Sequence, residues 1–190
     1  MQYTKRTHTC GELRAAQIGA TVTLTGWVDM RRDLGGLIFI DLRDRYGKTQ
    51  VVFNPQTDAA LHAKAGELRS EFVISVTGTV QPRPEGQTNA SMPTGAIDVA
   101  ATVLTIVTKA DTPPFPIQDH VDAREETRLQ YRYLDLRRAP LQKNLLTRHR
   151  MYQITRSYFD ALQFIEVETP ILMKSTPEGA RDYLVPSRVH

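Results

Sequence analysis

Between Thr21 and Asn54 three segments alternate apolar and polar residues, and this restricts the fold more than any other feature of the chain. Val22, Leu24, Gly26 and Val28 alternate with Thr21, Thr23, Thr25 and Asp29. A period of two sends one set toward a core and the other toward solvent, the mark of a half-buried strand. Leu37 to Leu42 and Gln50 to Phe53 read as the second and third strands. The stretch Arg31 to Gly36 reads as the first turn, because its paired glycines supply backbone freedom. Arg45-Tyr46-Gly47-Lys48 reads as the second turn.

The segments on either side extend this pattern. CGELRAAQI, residues 10–18, reads as a short helix or turn ended by Gly19. Asn54-Pro55 breaks the third strand, and Thr57 or Asp58 can cap a helix reaching about Arg69, with Leu61, Ala65 and Leu68 on one face. Glu71 to Val80 reads as a fourth strand, QPRPEGQTNASMPTG as a long polar loop, and Ala96 to Val107 as a fifth strand with room for a bulge. Three strands, a helix and two strands is the order of an OB-fold, an all-β five-stranded barrel with one helix, here spanning residues 1–109.

After the barrel, Pro113, Pro114 and Pro116 deny the chain a helix, so residues 110–138 read as a hinge, helical from Thr127 to Arg138. Leu141 to Gln163 reads as one long helix. Met151, Ile154, Tyr158 and Leu162 form one apolar stripe, and Leu145, Tyr152 and Phe159 a neighbouring one. Phe164 to Glu168 reads as a short strand before Pro170. Residues 139–190 are short for a domain that closes its own core, and they read as the start of an α+β domain.

Composition narrows the function classes. With 41% apolar and 24% charged residues this is an ordinary globular balance, and a net charge of +3 permits a polyanionic partner. No apolar run is long enough to span a membrane, and the N-terminus lacks the apolar core of a secretory signal. Cys10 is the single cysteine, which rules out an internal disulfide and a cysteine zinc site. The five histidines are scattered, so no metal is expected, and the whole favours the cytoplasm.

Several residues carry candidate chemistry. Phe39 lies between Ile38 and Ile40 and so faces the opposite side of its strand, either as packing on a second face or as a platform for a stacked base. Arg31, Arg32, Arg43 and Lys48 are candidate phosphate contacts. Gln50 can donate to and accept from a base edge, and Asp98 is either a base-edge acceptor or a surface carboxylate. Trp27 reads as core. Glu178, in a glycine-bearing loop, could hold a small ammonium group. No catalytic triad, carboxylate pair or Walker motif is present.

GWVDMRRDLGGLIFIDLRDRYGKTQVVFN, YRYLDLRR, FIEVETPIL and STPEGARDYLVPSRVH together resemble the bacterial-type aspartyl-tRNA synthetases, class II enzymes with an N-terminal OB-fold. The resemblance covers essentially the whole chain and implies its N-terminal portion. It implies anticodon contacts at Arg32, Phe39 and Gln50, and at Asp98 where the family usually has glutamate. It implies that residues 110–138 contact tRNA as a hinge. The long helix and the segment to Pro170 would be motif 1, with Tyr152, Phe159 and Pro170 at a homodimer interface. Gln163 stands where that motif commonly has glycine. Glu178 would receive the α-amino group of L-aspartate. Leu34 and the Arg83–Gln87 loop, including Gly86, lie where members differ in charging tRNA(Asn) besides tRNA(Asp). The intact enzyme would use ATP and Mg2+ to form aspartyl-adenylate and pass aspartate to tRNA. The family's motifs 2 and 3 are not in this sequence, so no catalytic residue is expected within these 190 residues, which alone would be inactive. The alternative is a free-standing OB module that binds tRNA or single-stranded RNA without catalysis.

Overall fold

The alternating segments become five strands: β1 (Thr21–Leu34), β2 (Leu37–Asp44), β3 (Gly47–Phe53), β4 (Val73–Pro82) and β5 (Ile97–Thr108). The computed structural model describes residues 4–174, 183 and 185–188. The strands close into a barrel in the order β1-β2-β3-β5-β4. β1 is long enough to serve two neighbours: Thr21 to Trp27 pairs antiparallel with β4, and Trp27 to Leu34 with β2. A short parallel contact between β3 and β5, Val51 opposite Val99 and Val52 opposite Ala100, completes the ring. The apolar halves of the alternation meet inside it, where Val22, Leu24, Val28, Ile40, Leu42, Val51, Phe53, Ile74, Val76 and Val99 are fully buried.

β1 continues past Asp29, so Arg31 and Arg32 are strand residues and not part of a turn. The turn itself is the pair Gly35-Gly36, with φ of 61° and 81°. A two-residue hairpin with both central residues at positive φ suits glycine, and its twist matches that of the strands it joins. Register shifts between Val28 and Met30, leaving Asp29 as the extra residue of a bulge that re-aims its carboxylate. The β4–β5 ladder also shifts at Gly78, where any Cβ would meet the Ala100 carbonyl.

α1 (Ala59–Gly66) lies between β3 and β4, capped by the Asp58 side chain, which accepts from the Leu61 N–H at 2.9 Å. Ala65, and Leu68 just beyond the helix, join the barrel core. After β5 the expected single helix breaks at Tyr131 into α2 (Glu125–Gln130) and α3 (Arg132–Asp135). The proline-rich segment before them is anchored by a second small core of Phe115, Ile117 and Leu134. Arg138 closes it, pairing with Asp135 at 2.8 Å and donating to the Gln118 and Asp119 carbonyls.

The chain divides into two compact units after Arg138. The second contains α4 (Ala139–Ala161), which has no buried residue. Gln163 follows it with φ of 65°, and the Phe164 N–H donates back to the Phe159 carbonyl at 3.0 Å. This is the left-handed helix ending that glycine most often supplies, built here with glutamine. Phe164 to Glu168 does not form the expected strand. Among the described residues no strand lies beside it to take its backbone groups, and a strand exists only by pairing.

Candidate nucleic-acid interface

The hairpin register decides which side chains share the outer face of the barrel. Arg32 stands opposite Phe39, and Asp41 opposite Gln50. Ile38, Ile40 and Leu42 point inward and are buried, so Phe39 and Asp41 take the outer side of β2. Phe39 is only half-buried and lies outside the core. Arg32, Leu34, Phe39 and Gln50 meet Arg83 and Gln87, from the loop after β4, around an open cavity of about 150 Å³. An aromatic face, two guanidinium groups and two amides around a space of this size can stack a base and hydrogen-bond its edge.

These polar groups are held in order. Arg32 donates to Asp41 at 2.6 Å and to the Gln50 oxygen at 3.4 Å. Burial pushes the Asp41 carboxyl above the usual carboxylate range, and the Arg32 guanidinium opposes that rise without cancelling it. Arg83 is set by its neighbours Pro82 and Pro84 and by its own N–H, which continues the ladder to the Ala96 carbonyl at 3.1 Å.

Asp98 differs from its expected role. It is 3% exposed, inside the barrel wall and not on the surface, and is absent from the cavity lining. Its carboxylate lies 2.9 Å from Arg83 Nε, whose N–H is aimed at the Ile97 carbonyl, so the attraction is Coulombic and not an aligned hydrogen bond. Burial raises its pKa, with Arg83 pulling the other way. Asp98 thus backs a cavity residue. Its short side chain and position on β5, immediately before Val99 of the parallel contact with β3, keep it there.

The basic residues divide sharply. Arg43 is not a surface phosphate contact: it reaches Asp29 at 2.7 Å, Glu71 at 2.6 Å and the Ile117 carbonyl at 3.2 Å. Glu71 also takes Arg137 at 2.6 Å, and Lys48 takes the other Asp29 oxygen at 2.7 Å. Arg137 lies 3.9 Å over the ring of Trp27, which is therefore a half-buried shelf and not a core residue. This network ties β1, β2 and the loop before β4 to the hinge. Arg31 donates to the Gly66 carbonyl at 3.0 Å, which leaves Arg32 as the one arginine of the pair at the cavity.

Asp41 was missed from the sequence, and Arg83 and Gln87 were named there only as the ends of a loop that varies among family members, not as partners of Phe39 and Gln50. Asp41 was findable, because it keeps the phase of Phe39 on β2. Arg83 and Gln87 enter from a loop whose path no periodicity describes. Leu34 is 60% exposed on the cavity rim, and Gly86, with φ of 77°, precedes Gln87. Tyr152 and Phe159 are exposed on α4, at 49% and 46%, as is Pro170 beyond it. Glu178 lies outside the described residues. Among the described residues no group of three or more His, Cys, Asp and Glu side chains could hold a metal ion, and no helix is long and apolar enough to cross a membrane.

Comparison with known proteins gives this surface a context. A family model described as an OB-fold nucleic acid binding domain matches residues 22–106, and one for class II tRNA synthetases (D, K and N) matches residues 124–190. The aspartate–tRNA(Asp/Asn) ligase of Salinibacter ruber is 59% identical over 97% of this chain and 30% of its own length. That of Oleidesulfovibrio alaskensis is 57% identical, with the same coverage. The crystal structure of an asparaginyl-tRNA synthetase from Pyrococcus horikoshii is 26% identical, with a TM-score of 0.74 over 87% of this chain and 38% of that one. This chain therefore spans about 30% of the length of the curated relatives it matches. With the barrel matched by one model and the following helices by the other, the chain is similar along nearly its whole length to the N-terminal part of aspartate–tRNA(Asp/Asn) ligases.

Proposed function

We propose that this chain supplies anticodon recognition to an aspartate–tRNA ligase, the enzyme that joins L-aspartate to tRNA(Asp) through aspartyl-adenylate at the expense of ATP. The observation that carries the reading is the convergence of Arg32, Phe39, Gln50 and Arg83 around one base-sized cavity on the barrel. Phe39 stacks a base of the anticodon loop, Gln50 and Arg83 meet base edges, and Arg32 both orders Gln50 and offers its remaining N–H donors to the RNA. Asp98 contributes by holding Arg83. The 1–109 barrel reads the anticodon, the 110–138 hinge follows the tRNA toward its acceptor end, and residues 139–190 open the catalytic domain.

The relatives' naming as tRNA(Asp/Asn) ligases supports charging of tRNA(Asn) as well, with Leu34 at the cavity and Gly86, which precedes the cavity residue Gln87, as the residues that set this choice. Tyr152, Phe159 and Pro170 belong to a homodimer interface, and Glu178 binds the aspartate amino group. The enzyme works in the cytoplasm. Among the described residues no cluster of donors could hold Mg2+, and motifs 2 and 3, which the resemblance makes responsible for ATP, are not in the sequence. No step is assigned to these residues beyond RNA recognition.

Fluorescence titration of the chain with an RNA hairpin carrying the aspartate anticodon loop tests the reading. Phe39→Ala should weaken binding by about 1–3 kcal/mol, the worth of one stacked base. Unchanged affinity would remove Phe39 from the interface. A companion assay of aspartate-dependent ATP–pyrophosphate exchange should show no turnover by these 190 residues; clear exchange would place an active site within them. The alternative of a free-standing RNA-binding module loses ground because the class II synthetase model matches residues 124–190, a region such a module does not require.

A further inference from the structure

One carboxylate on the outer face of the barrel is not in the lining of the Phe39 cavity, yet it orders two side chains that are. Asp41 stands directly across the β2–β3 ladder from Gln50 and diagonally across the β1–β2 ladder from Arg32. Its own side chain is 12% exposed, while that of Arg32 is 38% exposed. We propose that Asp41 is a positioning residue for base reading, setting through Arg32 which end of the Gln50 amide meets the base. The proposal rests on the anticodon-reading function above.

The argument follows from donor and acceptor inventories. A guanidinium group has only donors, so whatever part of Gln50 faces Arg32 must be its oxygen. The Gln50 oxygen lies 3.4 Å from Arg32 Nη2, and the same nitrogen gives its other N–H to Asp41 at 2.6 Å. The Gln50 NH2 is thereby turned away from Arg32, as a donor for a base acceptor. An amide has almost the same shape in its two flipped states, so only such a partner distinguishes them. Without the charge of Asp41, Arg32 is free to turn to water, and Gln50 can present either end. Asp41 thus acts on discrimination between bases and not merely on affinity.

Protonation should act in the same direction as substitution. The charged groups facing Asp41 are Arg32, Lys48 and Arg83 as cations, with Asp29 and Asp98 as anions. Burial outweighs the cations and raises its pKa above the ordinary carboxylate value. The ordered state is therefore lost as pH falls through the raised pKa, earlier than for an exposed aspartate.

The test uses the full 190-residue chain, an RNA hairpin with the aspartate anticodon loop, and three hairpins each with one anticodon base replaced. Binding is followed by fluorescence anisotropy between about pH 5 and pH 8, the window above the ordinary aspartate pKa. Asp41→Asn should weaken cognate binding by about tenfold, which corresponds to losing one charge-assisted interaction. It should weaken binding of the hairpin altered at the base read by Gln50 much less, so the preference narrows. The wild type should lose affinity toward low pH more steeply than the variant. In a Gln50→Ala background Asp41→Asn should remove no further discrimination. If the wild type binds but the variant keeps both its base preference and the wild-type pH slope, the proposal is overturned. If the wild type itself fails to bind, the anticodon-reading function fails first. Should the variant not melt cooperatively, the wild-type Gln50 side-chain amide NMR signals decide: movement with the Asp41 titration supports the proposal, and constancy overturns it.

Discussion

The barrel and helix α4 carry the same kind of sequence signal and meet opposite fates. In the barrel the apolar half of each alternating strand is buried, and Leu24, Ile40 and Val51 have no exposed surface. On α4 the apolar stripe lies open: Ile154 is 69% exposed, Tyr158 63%, Met151 62% and Leu162 53%. Strands β1 to β5 find one another within the chain and close a ring with no free edge, whereas among the described residues nothing covers the face of α4. An amphipathic pattern predicts that a face will be buried without naming what buries it. The polar groups differ in the same way. Around the barrel they form a partly buried network from Lys48 to Arg137, while the Arg156–Glu166 pair beside α4 is solvent-exposed.

Unfolding and binding measurements test this contrast. The largest effect should come from Glu71→Leu, which leaves Arg43 and Arg137 without their shared carboxylate. Removing one partner of a buried ion pair costs about 3–5 kcal/mol, to be read from urea unfolding. A loss below about 1 kcal/mol would mean the network behaves as exposed pairs do. Leu24→Ala should cost about 2–5 kcal/mol in the same assay, because its cavity opens in the closed core. Gln50→Ala should leave the unfolding midpoint unchanged and weaken hairpin binding by about 0.5–1.5 kcal/mol, which separates the recognition face from the core behind it. Ile154→Ala on α4 should give the smallest change, within about 0.5 kcal/mol of barrel stability, as for other exposed substitutions. A larger loss would show that the open stripe is covered in solution.

Much of this was legible in the sequence, for local reasons. Alternation placed the five strands, Thr57 or Asp58 marked the start of α1, and Phe39, flanked by Ile38 and Ile40, had to face away from the core. Where reading failed, the missing information was long-range. Trp27 read as core because it is large and apolar, and the arginine that covers it comes from 110 residues later in the chain. Arg43 read as a phosphate contact because nothing nearby suggested Glu71 as its partner. The strand expected at Phe164 to Glu168 had the right alternation and found no neighbour among the described residues.

The barrel's strands, its interior face, the turn at Gly35-Gly36 and the resemblance to the synthetases were readable from the sequence, because side-chain period, backbone freedom at glycine and residue identity are properties of short stretches. The tertiary structure alone decided which cations are free and which are consumed, that Arg83 and Gln87 meet Phe39 at one cavity, and that Asp98 stands behind Arg83. Those outcomes depend on barrel closure and strand register, which bring together groups tens of residues apart. Charge pairing and burial follow distance in space, and separation along the chain does not reveal it.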